Sequence, residues 1–218
     1  MELFLLSAGE TALKRTKERG RKQSGRKRNS VVYLICEGSE SEVRYFKRFR
    51  SRGCRIDILP ISSQYKAADR LVEKVRATMG TNPYYPDEGD TIWCVFDRDD
   101  NTEEMLDRAK HLADKEGYRI VFSNPSFELW YLWHYTDSEY PLEDCQAVIR
   151  QLKKAGRIEQ YEKNQDVYEK LLPLQQLALK RAEKRLEKLR QRQQKVISRN
   201  SNPVTMVGEL VTYLNSHK

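Results

Sequence analysis

The sequence predicts an α/β fold: a mostly parallel sheet flanked by helices and followed by a helical C-terminal region. Apolar runs of strand length recur along the first half of the chain. A segment with helical spacing of apolar residues follows most of these runs, and turn-forming residues separate them. Strands that are apolar throughout are typical of a sheet covered on both faces, and they favour parallel strands joined by right-handed crossovers.

Four strands and three helices follow from these patterns. The first strand is "VVYLIC", residues 31–36, and an amphipathic helix in "SEVRYFKRFRSRG" follows it and ends at Gly53. The second strand is "CRIDILPI", and its helix runs from about Ala67 to Met79. The loop "GTNPYYPDEGD" leads to the third strand, "TIWCVFD", and to a helix from about Thr102 to Lys115. The fourth strand, "YRIVFS", ends at Asn124-Pro125, where proline favours a break before the next helix.

The rest of the chain is predicted to be helical. The segments "SFELWYLWHY" and "PLEDCQAVIRQLKKAG" come first, a long charged helix spans about Leu174 to Val196, and a last helix begins at Pro203. The long helix has eight Lys or Arg from Lys180 to Lys195 against Glu183 and Glu187. An ordinary solvated face and a nucleic-acid contact both fit this pattern.

The charge balance favours a polyanionic partner. Forty Lys and Arg against 32 Asp and Glu give a formal charge of +8, so nucleic acid is the first candidate and an anionic membrane the second. Nine basic residues and one acid lie between Lys14 and Arg28, which favours a phosphate-binding arm over a solubilising tail. We therefore expect a basic arm (1–30), an α/β core (31–135) and a helical extension that packs on the core (136–218). The residues expected to contact nucleic acid are Lys14, Arg15, Lys17, Arg19, Arg21, Lys22, Arg26, Lys27, Arg28, Arg44, Arg98, Lys180, Lys184 and Lys188.

Several classes of protein are disfavoured. No apolar run reaches the roughly 18 residues that a transmembrane helix needs, and the start "MELFLLSAGE" does not suit a signal peptide, so we expect a cytoplasmic protein without membrane contact. Cys36, Cys54, Cys94 and Cys145 lack zinc-ligand spacing, and we expect reduced thiols that act as small apolar fillers. A P-loop motif is absent from the sequence.

Carboxylates follow two of the predicted buried strands. Glu37 comes directly after the first strand, and Asp97 and Asp99 come at the end of the third. Neighbouring parallel strands would bring these side chains to one rim, where uncompensated carboxylates repel each other until a cation binds. Oxygen ligands without a nearby histidine favour Mg²⁺ or Mn²⁺ over zinc. We therefore predict a metal site at this rim.

Simpler roles exist for the neighbouring polar residues. Ser39 and Glu42 fit a capping box at the start of the first helix, and Asp100, Asn101 and Thr102 fit a cap for the helix that follows the third strand. His134 lies among aromatic residues and is expected to be packed rather than catalytic.

At these residues the chain resembles the Toprim fold of topoisomerases, bacterial primases and overcoming-lysogenization-defect nucleases, whose signature is a Glu-Gly after the first strand and a D-x-D after a later one. It is more similar still to the RloB-like family in "CEGSESE", "FDRDD" and "SNPSFELW", which together span about residues 31–135, and in the tail "NPVTMVGELV". The family pattern often has Thr where this chain has Ser41, and a hydroxyl is kept.

The resemblance implies roles for five acids. Glu37 would be the general acid or base and join the metal site, Asp97 and Asp99 would be Mg²⁺ ligands, and Glu42 and Glu128 match further acids of the pattern. An unpaired Glu128 among apolar neighbours would be costly, so either a metal or a structural arginine is expected beside it. The catalytic set is thus Glu37, Asp97 and Asp99, and the metal set adds Glu42 and Glu128.

The resemblance further implies bacterial anti-phage defence of the abortive-infection type and an ATPase encoded nearby as a partner. The expected function is a metal-dependent endonuclease that hydrolyses phosphodiester bonds of RNA, with tRNA as one candidate, or of DNA. The alternative is a non-catalytic nucleic-acid-binding subunit of an ATPase-containing complex, and a primase-like nucleotidyl transferase ranks third. A homo-oligomer is also compatible with the sequence.

Overall fold

A five-stranded sheet forms the centre of the computed structural model, which describes residues 28–50, 55–163 and 165–217. The strands lie in the order β2-β1-β3-β4-β5, and all neighbouring pairs are parallel except β4 and β5. The strands are Ser30–Cys36 (β1), Ile56–Ser62 (β2), Thr91–Asp97 (β3), Arg119–Asn124 (β4) and Val204–Thr205 (β5). The predicted arm at residues 14–27 and Cys54 lie outside the described residues.

Helices flank the sheet on both faces, as predicted. In chain order they are Ser41–Lys47 (α1), Ala68–Glu73 (α2), Val75–Met79 (α3), Glu103–Glu116 (α4), Glu128–Leu132 (α5), Cys145–Leu152 (α6), Tyr168–Leu171 (α7), Gln175–Gln191 (α8) and Val207–Asn215 (α9). Short 3₁₀ turns occupy Pro86–Glu88, Leu172–Leu174 and Arg199–Ser201.

Two apolar cores explain why the strands are apolar throughout. Successive side chains of a strand point to opposite faces. In β1, Val32 and Leu34 therefore pack into one core with α1, α5 and the C-terminal helices, whereas Tyr33 and Ile35 pack into a second core with α2, α3 and α4. Because both faces are covered, the interiors of the central strands β1 and β3 are apolar and their polar residues lie at the strand ends, whereas the edge strand β2 has the exposed Asp57.

Several helix boundaries differ from the prediction. The helix after β1 ends at Lys47, before the predicted end at Gly53. The helix predicted from Ala67 to Met79 is divided into α2 and α3 at Lys74, whose φ of −100° and ψ of 15° leave the α region. The long helix α8 ends at Gln191 instead of Val196, since Gln193 takes a positive φ of 54°.

The predicted last helix is present as α9, but it begins at Val207 and not at Pro203. Pro203 follows a cis peptide bond, and the next two residues form β5, which pairs antiparallel with the end of β4. The hydroxyls of Thr205 and Ser123 are 3.0 Å apart in this pair, and the amide of Met206 donates to the carbonyl of Phe122 over 2.9 Å. The segment after residue 136 therefore completes the sheet as well as packing helices on it.

Candidate functional site

The two strands that end in carboxylates are neighbours in the sheet. β1 and β3 run parallel, with Cys36 opposite Val95. Glu37 follows the last residue of β1, and Asp97 is the last residue of β3. The two side chains therefore lie at the same rim, beyond or at the carboxyl ends of the strands, where α/β sheets place their ligands.

Glu37 is held between the two strand ends. Its main-chain amide donates to the carbonyl of Val95 over 2.9 Å, and its Oε2 accepts a hydrogen bond from the amide of Asp97 over 3.1 Å. The side chain of Lys66 donates to the main-chain carbonyl of Glu37. The pKa of Glu37 is raised to about 7. Burial is the largest cause and the negative charges of Asp99 and Glu42 add to it, whereas the hydrogen bond from the Asp97 amide and the charge of Lys66 act in the opposite direction.

Asp97 and Asp99 lie in different surroundings. The Oδ2 of Asp97 accepts a hydrogen bond from the amide of Phe127 over 3.0 Å, which connects β3 to the start of α5. Burial raises the pKa of Asp97 well above its usual range, and the charges of Glu42 and Glu128 add to this effect. Asp99 is exposed, and partial desolvation raises its pKa as well.

The backbone of Asp99 has a positive φ of 25°, which is uncommon for a residue other than glycine. Arg199 holds the turn in place: its guanidinium donates to the carbonyl of Asp99 over 3.2 Å and to the carbonyl of Asn101 over 2.6 Å. This arginine comes from the last part of the chain, and the sequence contained no signal for it.

Glu42 has a different local role from the predicted one. Helix α1 has Glu40 at its N-cap and no side-chain hydrogen bond there, so the capping box of Ser39 and Glu42 is not formed. Glu42 is 7% exposed, and its carboxylate lies against Gly38, where a Cβ would come within 2.1 Å of Oε2. The glycine of the Glu-Gly pair therefore leaves the space that this carboxylate occupies. Burial raises the pKa of Glu42, and the charge of Glu128 raises it further.

Glu128 is 3% exposed and is paired with neutral donors rather than with an arginine. Its Oε1 accepts from Ser41 Oγ at 3.2 Å and from Tyr161 Oη at 3.3 Å, and its Oε2 accepts from Cys145 Sγ at 3.4 Å. This replaces the expectation of a structural arginine. It also means that Cys145 is a hydrogen-bonding partner and not an apolar filler, whereas Cys36 and Cys94 are buried in the strands as predicted.

The five acids of the sequence prediction line one cavity of about 310 Å³ together with Lys66 and Lys163. Neither lysine was predicted from the sequence, since both lie in segments without periodicity. Among the described residues, however, no three His, Cys, Asp or Glu side chains form a ready-made metal site. Two of the carboxylates, those of Glu37 and Asp97, are instead turned toward main-chain amides.

The donor set nevertheless fits a hard divalent cation by its chemistry. It consists of carboxylate oxygens, it is partly buried, and its charges are balanced by two lysines only in part. Burial and mutual repulsion raise the pKa of Glu37, Glu42 and Asp97. A bound cation would relieve this repulsion.

The residues predicted to contact nucleic acid have diverse surroundings. Several are engaged within the protein: Arg28 with Glu88 and Asp90, Arg44 with Glu40, Arg98 with the carbonyl of Glu143, and Lys188 with Glu139. Lys180 and Lys184 are exposed on α8 and form no ion pair with the described residues. These two lysines are therefore the free basic groups of the predicted set on this helix.

Two of the simpler expectations are confirmed. His134 is 1% exposed and packed edge-on against Trp130, with a ring-centroid distance of 4.8 Å. Thr102 caps α4 by accepting from the amide of Met105 over 3.2 Å, whereas Asn101 accepts from the amide at the start of α2.

No helix in the described part of the chain has the length and apolar character needed to cross a membrane. A protein-family model described as RloB-like protein matches residues 32–214. No curated protein and no solved structure matches the chain.

Proposed function

The chain belongs to the RloB-like protein family, and from this membership we propose that it is a metal-dependent endonuclease that acts in bacterial anti-phage defence of the abortive-infection type. The observation that carries the proposal is the cavity in which Glu37, Glu42, Asp97, Asp99 and Glu128 come together at the ends of two adjacent parallel strands. We also propose that the sheet is of the Toprim type, because Glu-Gly and D-x-D follow two strands that are direct neighbours.

The substrate class follows from charge. A carboxylate cluster needs a cation before it can accept a phosphodiester, and Mg²⁺ or Mn²⁺ would polarise a phosphoryl oxygen and stabilise the leaving group. Asp97, Asp99, Glu42 and Glu128 are the residues we assign to hold it. RNA, including tRNA, and DNA all fit this chemistry.

The other groups of the site have their own assignments. Glu37, which lies between the strand ends, is assigned to activate water or to protonate the leaving oxygen. Lys66 and Lys163 line the same cavity, and their charge favours the approach of a phosphate. The free lysines of α8 are assigned to the phosphate backbone.

The alternative function is a non-catalytic nucleic-acid-binding subunit that works with an ATPase encoded nearby. The observation that favours it is the hydrogen bonding of the carboxylates to amides and hydroxyls, which leaves no ready-made group of three ligands in the described residues. This reading assigns the carboxylates a structural role.

Cleavage assays separate the two functions. Total tRNA, single-stranded DNA and duplex DNA are incubated with the protein in Mg²⁺, in Mn²⁺ and in EDTA, and the wild type is compared with Asp97→Asn. We expect metal-dependent cleavage of at least one substrate that Asp97→Asn loses while its binding stays equal or becomes stronger, since a negative charge near a polyanion is removed. Binding without cleavage in all metals would support the non-catalytic subunit, and cleavage that persists in Asp97→Asn would contradict the assignment of this site.

A further inference from the structure

A second cavity, of about 580 Å³, lies toward the opposite end of the sheet from the carboxylates. Trp93 near the start of β3 and Arg119 at the start of β4 line it and are paired in register. Trp93 precedes Asp97 by four residues, which is roughly 13 Å along a strand. The cavity is within the size range of small-molecule sites and is separate from the proposed nuclease site.

The guanidinium of Arg119 is positioned by two aromatic rings. Its central carbon lies 4.8 Å from the centre of the Trp93 ring and 5.0 Å from that of Tyr213, and the two rings are 5.2 Å apart. The side chain of Arg119 forms no hydrogen bond or ion pair with any residue that the structure describes. A guanidinium that is held by ring contacts alone keeps its N–H donors free for an external oxyanion.

The charged residues that line the cavity favour the binding of one anionic group. Lys110 bonds to Asp114 at 2.6 Å, and Glu209 bonds to Arg190 at 2.7 Å. Each carboxylate of the lining thus has a cationic partner, which leaves Arg119 as the unpaired charge within the described lining. A polyanion would meet Asp114 and Glu209 at close range, so a ligand with a single oxyanion is favoured.

Most of the remaining lining is apolar or aromatic. Tyr118, Ile120, Ile197 and Met206 face the same cavity. Such walls bind a flat, apolar body, and a guanidinium plane or a tyrosine ring can stack on an aromatic base.

We propose that this cavity binds a small molecule with a planar aromatic body and one oxyanion group, the chemistry of a nucleoside monophosphate, through Arg119. The phosphate pairs with the guanidinium, and the base packs between the aromatic and aliphatic walls. An aromatic carboxylate shares this chemistry and is the other source that the test separates. The proposal does not depend on the proposed nuclease function.

The test is isothermal titration of the full chain in EDTA. The first arm uses the four nucleoside 5′-monophosphates, and the second uses indole-3-carboxylate. Adenosine has the aromatic base without the oxyanion, and inorganic phosphate has the oxyanion without the base. Both serve as ligand controls. We expect saturable binding in one of the two arms, and at least about ten-fold weaker binding of both half-ligands.

Variants assign the binding to the cavity. Arg119→Ala should weaken binding about ten- to one-hundred-fold, as expected for loss of hydrogen bonds to a charged group. Arg119→Lys keeps the charge without the planar fork and should give an intermediate loss. The matched control is Arg76→Ala, since Arg76 is also exposed and lies 5.4 Å from the ring centre of Tyr84, outside this cavity. Amide spectra show that each variant is folded.

Three results would overturn the proposal. One is the absence of saturable binding in both arms. Another is equal affinity of the wild type and Arg119→Ala, or an equal loss in Arg76→Ala. The third is Arg119-dependent binding of a single-stranded hexanucleotide that is tighter than the binding of any monophosphate. The cavity would then accept one nucleotide of a nucleic-acid chain instead of a small molecule.

Discussion

The Oε2 of Glu37 accepts a hydrogen bond from the main-chain amide of Asp97 over 3.1 Å, and this contact joins the end of β1 to the end of β3. The carboxylate of Glu37, from the Glu-Gly motif, is thereby fixed beside the first residue of the D-x-D motif. Because Glu37 is only 9% exposed there, its pKa rises to about 7.

Divalent cations should stabilise the protein through the carboxylate cluster. In EDTA we expect Asp97→Asn to be more stable than the wild type by roughly 1 kcal/mol, since one of several repelling buried charges is removed. With Mg²⁺ or Mn²⁺ at 100 times its dissociation constant, the wild type should gain about 2.7 kcal/mol and the variant much less. Thermal unfolding with and without metal measures both effects. Asp87→Asn, an exposed carboxylate in the loop before β3, is the control, and an equal metal response of Asp97→Asn and wild type would argue against a metal site here.

Gly38→Ala should displace the carboxylate of Glu42. A Cβ at this position would lie 2.1 Å from Oε2 of Glu42. The carboxylate end of the Glu42 side chain is flexible, so it is the group that moves away. We expect less than about 1 kcal/mol change in the free energy of unfolding in EDTA, because a side-chain rotamer shift suffices, but a clear loss of the metal-dependent thermal shift and of cleavage. A double-mutant cycle with Glu42→Ala provides the control. If Gly38→Ala lowers the metal response by the same factor in the Glu42→Ala background, Glu42 is not the group that it displaces.

Arg199→Ala should loosen the turn that carries Asp99. The guanidinium bonds to the carbonyls of Asp99 and Asn101, and Asp99 has the uncommon φ of 25°. We expect a loss of about 1 kcal/mol in unfolding free energy, together with weaker metal binding measured by titration calorimetry. Arg190→Ala, which removes an exposed ion pair with Glu209, should change stability by roughly 0–1 kcal/mol and leave metal binding intact. Unchanged metal affinity in Arg199→Ala would show that the turn keeps its shape without this arginine.

Protonation of His134 should destabilise the fold at acidic pH. Burial lowers its pKa to about 4, its Nδ1 bonds to the carbonyl of Trp130, and its buried Nε2 has no partner among the described residues. Between the unfolded-state pKa of about 6.5 and the folded value, the unfolded chain binds a proton that the folded chain does not. The stabilising effect is therefore complete above pH 6.5 and is lost as the pH falls toward 4, by a total on the order of 3 kcal/mol.

The measurement is the free energy of unfolding from pH 7 to pH 4 for the wild type and for His134→Phe. The difference between the two curves separates the effect of His134 protonation on the free energy of unfolding from the effect of carboxylate protonation. His111→Gln, at an exposed position of α4, is the control. A wild-type NMR titration that places the pKa of His134 at 6 or above would contradict the prediction.

Lys180 and Lys184 should contribute to nucleic-acid affinity without sequence preference. Both are exposed on α8 and have no ion-pair partner among the described residues, whereas Lys188 is paired with Glu139. Replacing the two free lysines by alanine should make the binding less dependent on salt. The slope of log K against log salt concentration should decrease in magnitude by about 1.4 for single strands and about 1.8 for duplex. Lys188→Ala should have a smaller effect. Identical slopes for the wild type and the double variant, measured by fluorescence anisotropy, would mean that this helix face is simply solvated.

Much of the fold could be predicted because its signals are local. The apolar runs that become β1, β3 and β4 and the helical spacing in α4 depend on residues within a few positions of each other. The strand β5 had no such signal: two residues after a proline have no periodicity, and their pairing with β4 is stabilised by contacts to residues about 80 positions away. The same limit applies to the capping box, where local spacing favoured a structure that the burial of Glu42 overrode.

The sequence by itself determined the α/β class, the strand ends that carry Glu37, Asp97 and Asp99, and the burial of His134, because each of these follows from hydrophobic patterning along a short stretch. Only the tertiary structure decided that β1 and β3 are neighbours, that Tyr161 and Cys145 are the partners of Glu128, and that Arg199 supports the Asp99 turn. These contacts join residues far apart in the chain. The packing of the whole core determines these contacts, and they produce no hydrophobic periodicity in any one segment of the sequence.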